Sequence, residues 1–165
     1  MTTHEQNVAP CCPPFDPAPW DGTELVWKDR LFIKDSVPLF FHIPWPPMIG
    51  RLMKKMWDKA QAAGAASELR DFVCLAHDPS PWRGEYFLSV TKEVPGLENV
   101  TISGTFLTKV FDGPYNAVPK WIKEMNGYVR SQGKQVKKYY FYYTTCPTCA
   151  KLHGHNYVVA FAQVD

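Results

Sequence analysis

The chain gives the same order of elements twice: strand, helix, strand, strand. In the first pass, residues 25–43 (LVWKDRLFIKDSVPLFFHI) read as one long strand or two short ones, with Pro38 marking an edge or a break. Pro46 and Pro47 open a helix at about Met48, because proline suits the first helical turn. Ile49, Leu52, Met53, Met56, Ala60 and Ala63 then recur at helical spacing, and Gly64 supplies a stop. Two short apolar runs follow, 71–77 and 85–91, split by the turn-rich DPSPWRG. In the second pass, 99–111 is β-rich with Gly104 as a candidate bulge. Val118, Trp121, Ile122, Met125, Tyr128 and Val129 form a helical stripe, and strands are expected at 135–145 and 156–164. The helix starts near Met48 and Tyr115 lie about 67 residues apart. The halves, about 25–95 and 96–165, repeat in element order and not in sequence. Each helix has one apolar stripe to cover one face of a sheet. The order therefore predicts an α+β fold: duplicated β-α-β-β modules in one eight-stranded antiparallel sheet with two helices. A groove between those helices is the natural small-molecule site.

The front of the chain follows another rule. Nine of the 15 prolines fall in the first 50 residues, and Pro10, Pro13, Pro14, Pro17 and Pro19 crowd the first 22. That density forbids helix and interrupts any sheet ladder, so residues 1–22 read as an extended arm ahead of one domain over 23–165. Phe15 and Trp20 are the anchors that would pin it.

Composition then narrows the partner. Aromatics make up 15% of the 165 residues, while net charge is only +2. The low charge gives no footprint for nucleic acid or an acidic membrane. No run approaches the ~18 apolar residues of a membrane span, and the first ten residues lack the basic and apolar regions of a signal peptide. A cytoplasmic location follows as the expectation. No phosphate loop, serine elbow or HExxH occurs, which removes nucleotide hydrolysis and zinc-protease chemistry.

The local text carries a resemblance. Lys109-Val110-Phe111-Asp112-Gly113-Pro114-Tyr115 is a strand running into a GPY turn, and with the element order it resembles the GyrI-like small-molecule-binding family. That family is related to the effector domains of multidrug-sensing transcription regulators. A bacterial subgroup labelled "hydrolase" is closer still in CCPPF (11–15), FIKD (32–35), FFHIP (40–44), DPSPW (78–82), SGTFLTKVFDGPY (103–115), YTTCPTCAK (143–151) and NYVVAFA (156–162). The resemblance implies a GyrI-like, SOUL-like duplicated fold with an aromatic-lined pocket for planar, apolar xenobiotics. Some members resemble enzymes that hydrolyse the cyclopropane of DNA-alkylating natural products, while others only bind or sequester. Many relatives carry a pocket glutamate on a strand of the second half. Here the corresponding strands hold Tyr139-Tyr140-Phe141-Tyr142-Tyr143 and Gln163, with no acid after Asp112 except Asp165.

The candidate site residues follow from chemistry and position. Strand alternation puts Tyr139, Phe141 and Tyr143 on one face and Tyr140 and Tyr142 on the other. Phenols near a groove stack on a flat ligand and donate hydrogen bonds; the alternative is core packing with surface tyrosines. Trp57 and Trp121 border the two helix stripes, Trp45 and Trp82 sit in proline-bounded loops, and Phe111 ends a strand. Together with Tyr140 and Tyr142 these are the cage candidates. Tyr115, Tyr142, Tyr140, Glu85 and Glu124 are the candidate proton-transfer groups for water attack on a caged electrophile. Cys146 and Cys149 form a CxxC that Cys11 and Cys12, or else His153 and His155, would complete as a structural zinc site, with the cysteine pair preferred; ordinary thiols or a disulfide are the alternative. No cofactor is expected for the chemistry itself. The expected partner is a planar apolar small molecule. The second reading is a non-catalytic sequestering module, or one that touches a protein such as gyrase.

Overall fold

The computed structural model describes residues 15–68, 71–144 and 154–164. Its elements are β1 (Thr23–Phe40), β2 (Ile43–Pro44), α1 (Pro46–Ala62), β3 (Cys74–Ser80), β4 (Arg83–Ser89), β5 (Glu98–Asp112), a short 3-10 turn (Tyr115–Ala117), α2 (Val118–Ser131), β6 (Lys138–Tyr143) and β7 (Tyr157–Gln163). The expected order of strand, helix, strand, strand is present in each half.

The sheet corrects one expectation. Instead of eight strands side by side, six antiparallel strands close into a barrel in the order β1-β4-β3-β6-β7-β5, with β2 added beside the end of β1. Closure comes from the 18-residue length of β1. Its first part pairs with β5, from Thr23↔Thr108 to Lys34↔Glu98, and its later part pairs with β4, from Phe32↔Ser89 to Pro38↔Arg83. One strand thus serves two neighbours, and the sheet has no open edge along these six strands. Pro38 lies inside this strand and does not break it. The bulge falls on β1 between Trp27 and Arg30, next to Gly104 on β5 and not at it. Asp29 there has a left-handed φ of 50°, and its N–H donates to the Ser103 hydroxyl at 2.7 Å. At the seam between the halves, β3 meets β6 through Ala76↔Phe141.

Alternation along the strands sorts the side chains into three clusters. Inward residues fill the barrel: Phe32, Leu75, Phe87, Ile102, Phe106, Tyr140, Tyr142, Val159 and Phe161. Outward residues of β1 and β4 (Ile33, Val37, Leu39, Leu88) meet Leu52, Met56 and Ala60 of α1. Outward residues of β5, β6 and β7 (Leu107, Phe111, Phe141, Val158, Ala160) meet Trp121, Met125 and Val129 of α2. Both helices follow the four-residue spacing of their buried positions and open with proline in the first turn. Gly64, at φ 65°, turns the chain away after α1. The helices therefore lie on separate stretches of the barrel's outer wall, each over its own cluster.

Candidate functional site

The barrel interior is aromatic from end to end, and its two ends differ. At one end the chain ahead of β1 folds in as a plug. The Trp20 ring lies 6.1 Å from Tyr142 and 5.7 Å from Phe161, and Phe15 lies 6.0 Å from both Tyr142 and Tyr157. The Thr108 hydroxyl donates to the Trp20 carbonyl, and the Val110 N–H donates to Asp21 at 3.1 Å. Deeper in, Trp27 packs on Phe32, Phe106 and Phe161.

At the other end the same inward rows turn polar one step beyond the aromatics. Phe32 is followed by Lys34, Phe87 is preceded by Glu85, Leu75 is followed by His77, and Tyr140 is preceded by Lys138. These four polar side chains form a mouth. The Lys34 ammonium lies 2.7 Å from Glu85, with Arg83 3.8 Å away on the other side. His77 donates from Nδ1 to the Tyr139 carbonyl at 3.0 Å, and its ring lies 5.6 Å from that of Tyr140. Lys138 sits 4.8 Å above the Tyr140 ring, and Lys34 5.7 Å from the centre of Phe87. A cleft of about 200 Å³ adjoins the mouth, lined by Lys34, Ser36, Arg83, Leu97 and Glu98 among others.

Electrostatics sets the protonation states here. Burial pushes the Glu85 carboxyl up, but the Lys34 hydrogen bond and the charges of Lys34, Arg83 and His77 outweigh it and hold it below the usual value. Glu85 is only 9% exposed and still ionised. His77 is pushed down by burial first and by Lys138 second, against the opposing Tyr139 carbonyl, Glu85 and Asp78. Both folded-state values are depressed, so acidification protonates the unfolded chain first. The stability these groups contribute is present above their unfolded values and is lost as pH falls. For His77 the loss starts near the unfolded value of about 6.5, and for Glu85 near about 4.3. Replacing His77 by asparagine should flatten the fall of the urea midpoint between about pH 7 and 5.5. An unchanged slope there would place His77 outside the packed mouth.

The sequence candidates separate on this framework. Glu85, Tyr140 and Tyr142 face the barrel interior, where Tyr142 donates to the Phe72 carbonyl at 3.3 Å. Phe111 and Trp121 stack at 5.4 Å beneath α2, and Trp57 meets Phe72 edge-on beside α1. The tryptophans expected to flank one inter-helix groove thus serve two separate outer clusters. Glu124 is exposed on α2. Tyr115 falls in the 3-10 turn. Trp45 and Trp82 are 69% and 53% exposed, near Phe40, Phe41 and Ile43 at the hairpin tips. There Phe41 and His42 both adopt left-handed φ, and His42 pairs with Asp78 at 2.9 Å. The proposed zinc ligands Cys11, Cys12, Cys146 and Cys149 lie outside the described residues. Among the described residues, no group of three or more His, Cys, Asp or Glu is placed to hold a metal ion. Cys74 is a half-buried thiol beside Met53, pushed up to about 12 by desolvation. Sequence reasoning did not single out as site residues Lys34, His77 or Lys138, which the structure brings to this mouth. The available signal was a charged residue two positions from an inward aromatic on each strand.

Among the described residues, no helix is long and apolar enough to cross a membrane. No curated protein matches the chain. Solved structures do. The EcmrR C-terminal domain is similar over 88% of this chain and 98% of its own, at 11% identity and a TM-score of 0.68. A hydrolase from Listeria innocua is similar over 98% and 96%, at 10% identity and a TM-score of 0.60. SAV2435, solved bound to tetraphenylphosphonium, is similar over 87% and 93%, at 11% identity and a TM-score of 0.51. At these identities the likeness establishes the fold alone, and it fits the GyrI-like fold suggested by the element order and the GPY turn. A family model described as bacterial hydrolase matches residues 2–164, so the chain belongs to that family.

Proposed function

We propose that the protein binds planar, largely apolar small molecules at the charged mouth of its aromatic barrel. The observation that carries this reading is the inward row of each strand passing from buried rings to Lys34, Glu85, His77 and Lys138 at the end of the barrel opposite the plug. Rings supply apolar contact and a few convergent polar groups supply orientation, which is the usual composition of a small-molecule site. The likeness to a protein solved with tetraphenylphosphonium, a tetrahedral aromatic cation, supports small-molecule binding by this fold and not the planarity or charge of the ligand. Nucleic acid is not part of it, since the net charge is +2.

Hydrolysis is the second reading, favoured by the family's description. Glu85 is held as a carboxylate at the mouth, so it would accept a proton from a water that bonds to a cyclopropane carbon as the ring C–C bond breaks and its electron pair passes to the ligand's conjugated carbonyl. Its lowered pKa keeps it ionised, so it is available as a proton acceptor and not as an acid.

The test is a fluorescence titration of the purified protein with a planar aromatic alcohol such as pyrenemethanol, followed by incubation with a cyclopropane-bearing alkylator. Saturable quenching of the barrel tryptophans Trp20 and Trp27 is expected; its absence would remove the binding reading. Ring-opened product would establish turnover. Recovery of unchanged alkylator would leave sequestration as the activity.

A further inference from the structure

We propose that the ligand class of this mouth is the planar aromatic acid and not the lipophilic cation. The inference rests on the mouth being a small-molecule site, and it adds the sign of the ligand's charge.

The argument starts from the ring faces. An aromatic face is electronegative, and a cage selects cations by leaving such faces vacant. Here the protein's own cations already occupy them. The Arg30 guanidinium lies 4.7 Å above Trp27 and 5.8 Å from the centre of Phe32. Lys34 lies over Phe87, and Lys138 lies over Tyr140. Two rings at the mouth, Phe87 and Tyr140, thus carry an intrinsic positive charge, while Arg30 covers Trp27 deeper in and donates to the Asp71 carbonyl at 2.8 Å. A ligand cation would have to displace one of these groups and then sit beside the others.

The carboxylates nearby are mostly answered already: Asp78 pairs with His42 at 2.9 Å, and Asp71 lies beside Arg30. Glu85 is bonded to Lys34 at 2.7 Å and touched by Arg83, so its charge is already answered. Asp35, on the cleft's other wall, is bonded to Lys55 at 2.9 Å. Glu98 is exposed at the start of β5. Against these, Lys138 has no carboxylate partner among the described residues. Arg83 presents a half-exposed guanidinium, and its planar fork matches a carboxylate. His77, whose Nδ1–H donates to the Tyr139 carbonyl, leaves Nε2 as an acceptor for a ligand hydroxyl. An aromatic acid that sets its carboxylate on Lys138 or Arg83 at the rim meets these cations without displacing them from the rings.

Three pyrene probes of matched shape test it: pyrenecarboxylate, pyrenemethanol and pyrenemethylammonium. The carboxylate is expected to bind about tenfold more tightly than the alcohol, and the ammonium more weakly than either. K138Q is expected to bring the ratio of carboxylate to alcohol affinity close to one, with folding checked by its urea midpoint. If the ammonium binds as tightly as the carboxylate, the charge assignment is overturned while the binding site stands. A carboxylate preference that survives K138Q overturns Lys138 as the anion's partner. If none of the three binds, the underlying reading of the mouth fails.

Discussion

Phe161→Ala should destabilise the protein by about 3–5 kcal/mol, among the largest effects expected of any single truncation in the chain. Phe161 has no solvent exposure and stands at the centre of the barrel interior, on the middle of β7. Its ring meets Trp20 at 5.7 Å, Trp27 at 5.6 Å and Phe106 at 6.2 Å. These neighbours come from the arm and from β1 and β5, and each is tied down by its own strand or turn. They cannot collapse into the space a ring leaves, so the cavity term adds to the lost burial. A 165-residue chain loses about 2–4 °C of Tm for each kcal/mol, which makes the shift about 10 °C. The measurement is the denaturant midpoint at constant m-value, with Phe161→Leu as the milder comparison. A loss under about 1 kcal/mol would mean that the interior is loosely filled.

Much of the secondary structure is written in local periodicity, and the barrel is not. The stripe Trp121, Met125, Val129 reports a helix whatever it packs against, and the alternation of Tyr139 to Tyr143 assigns two faces without saying what covers either. The structure puts Tyr140 and Tyr142 inside the barrel and Tyr139, Phe141 and Tyr143 under α2. Closure depends on β1 pairing with β5 some 70–80 positions away and with β4 about 50 positions away, as in Leu31↔Thr101 and Ser36↔Glu85. No short window contains that information. The mouth was hidden for the same reason. Lys34, His77, Glu85 and Lys138 come from four strands, and each one alone reads as a charge at the end of a strand. Register gathers them. The tryptophans were ambiguous in another way, because a large side chain beside a helix stripe reads the same whether it lines a groove or fills the seam below the helix. Trp57 and Trp121 fill seams.

Tyr140 and Trp121 therefore give opposite expectations for binding. Tyr140 is 4% exposed, carries Lys138 on one ring face, and contacts His77 and Phe87 at the mouth. Tyr140→Leu keeps apolar volume in the barrel but removes the ring that a flat ligand would meet. An aromatic contact contributes roughly 0.5–1.5 kcal/mol beyond area burial, so with the lost contact area a fall in affinity of about tenfold is expected. Trp121 stacks on Phe111 on the outer wall, beneath α2, and touches none of the mouth. Trp121→Phe should cost stability by leaving part of that seam unfilled, and should leave affinity where it was.

The most direct measurement is the dissociation constant of pyrenemethanol for the unaltered protein, Tyr140→Leu and Trp121→Phe, each at a urea-verified folded concentration. The barrel-mouth account predicts an affinity about tenfold weaker for Tyr140→Leu and unchanged for Trp121→Phe. Loss of binding in Trp121→Phe with full affinity in Tyr140→Leu would contradict it, and would move the site from the mouth of the barrel to the helices on its outer wall.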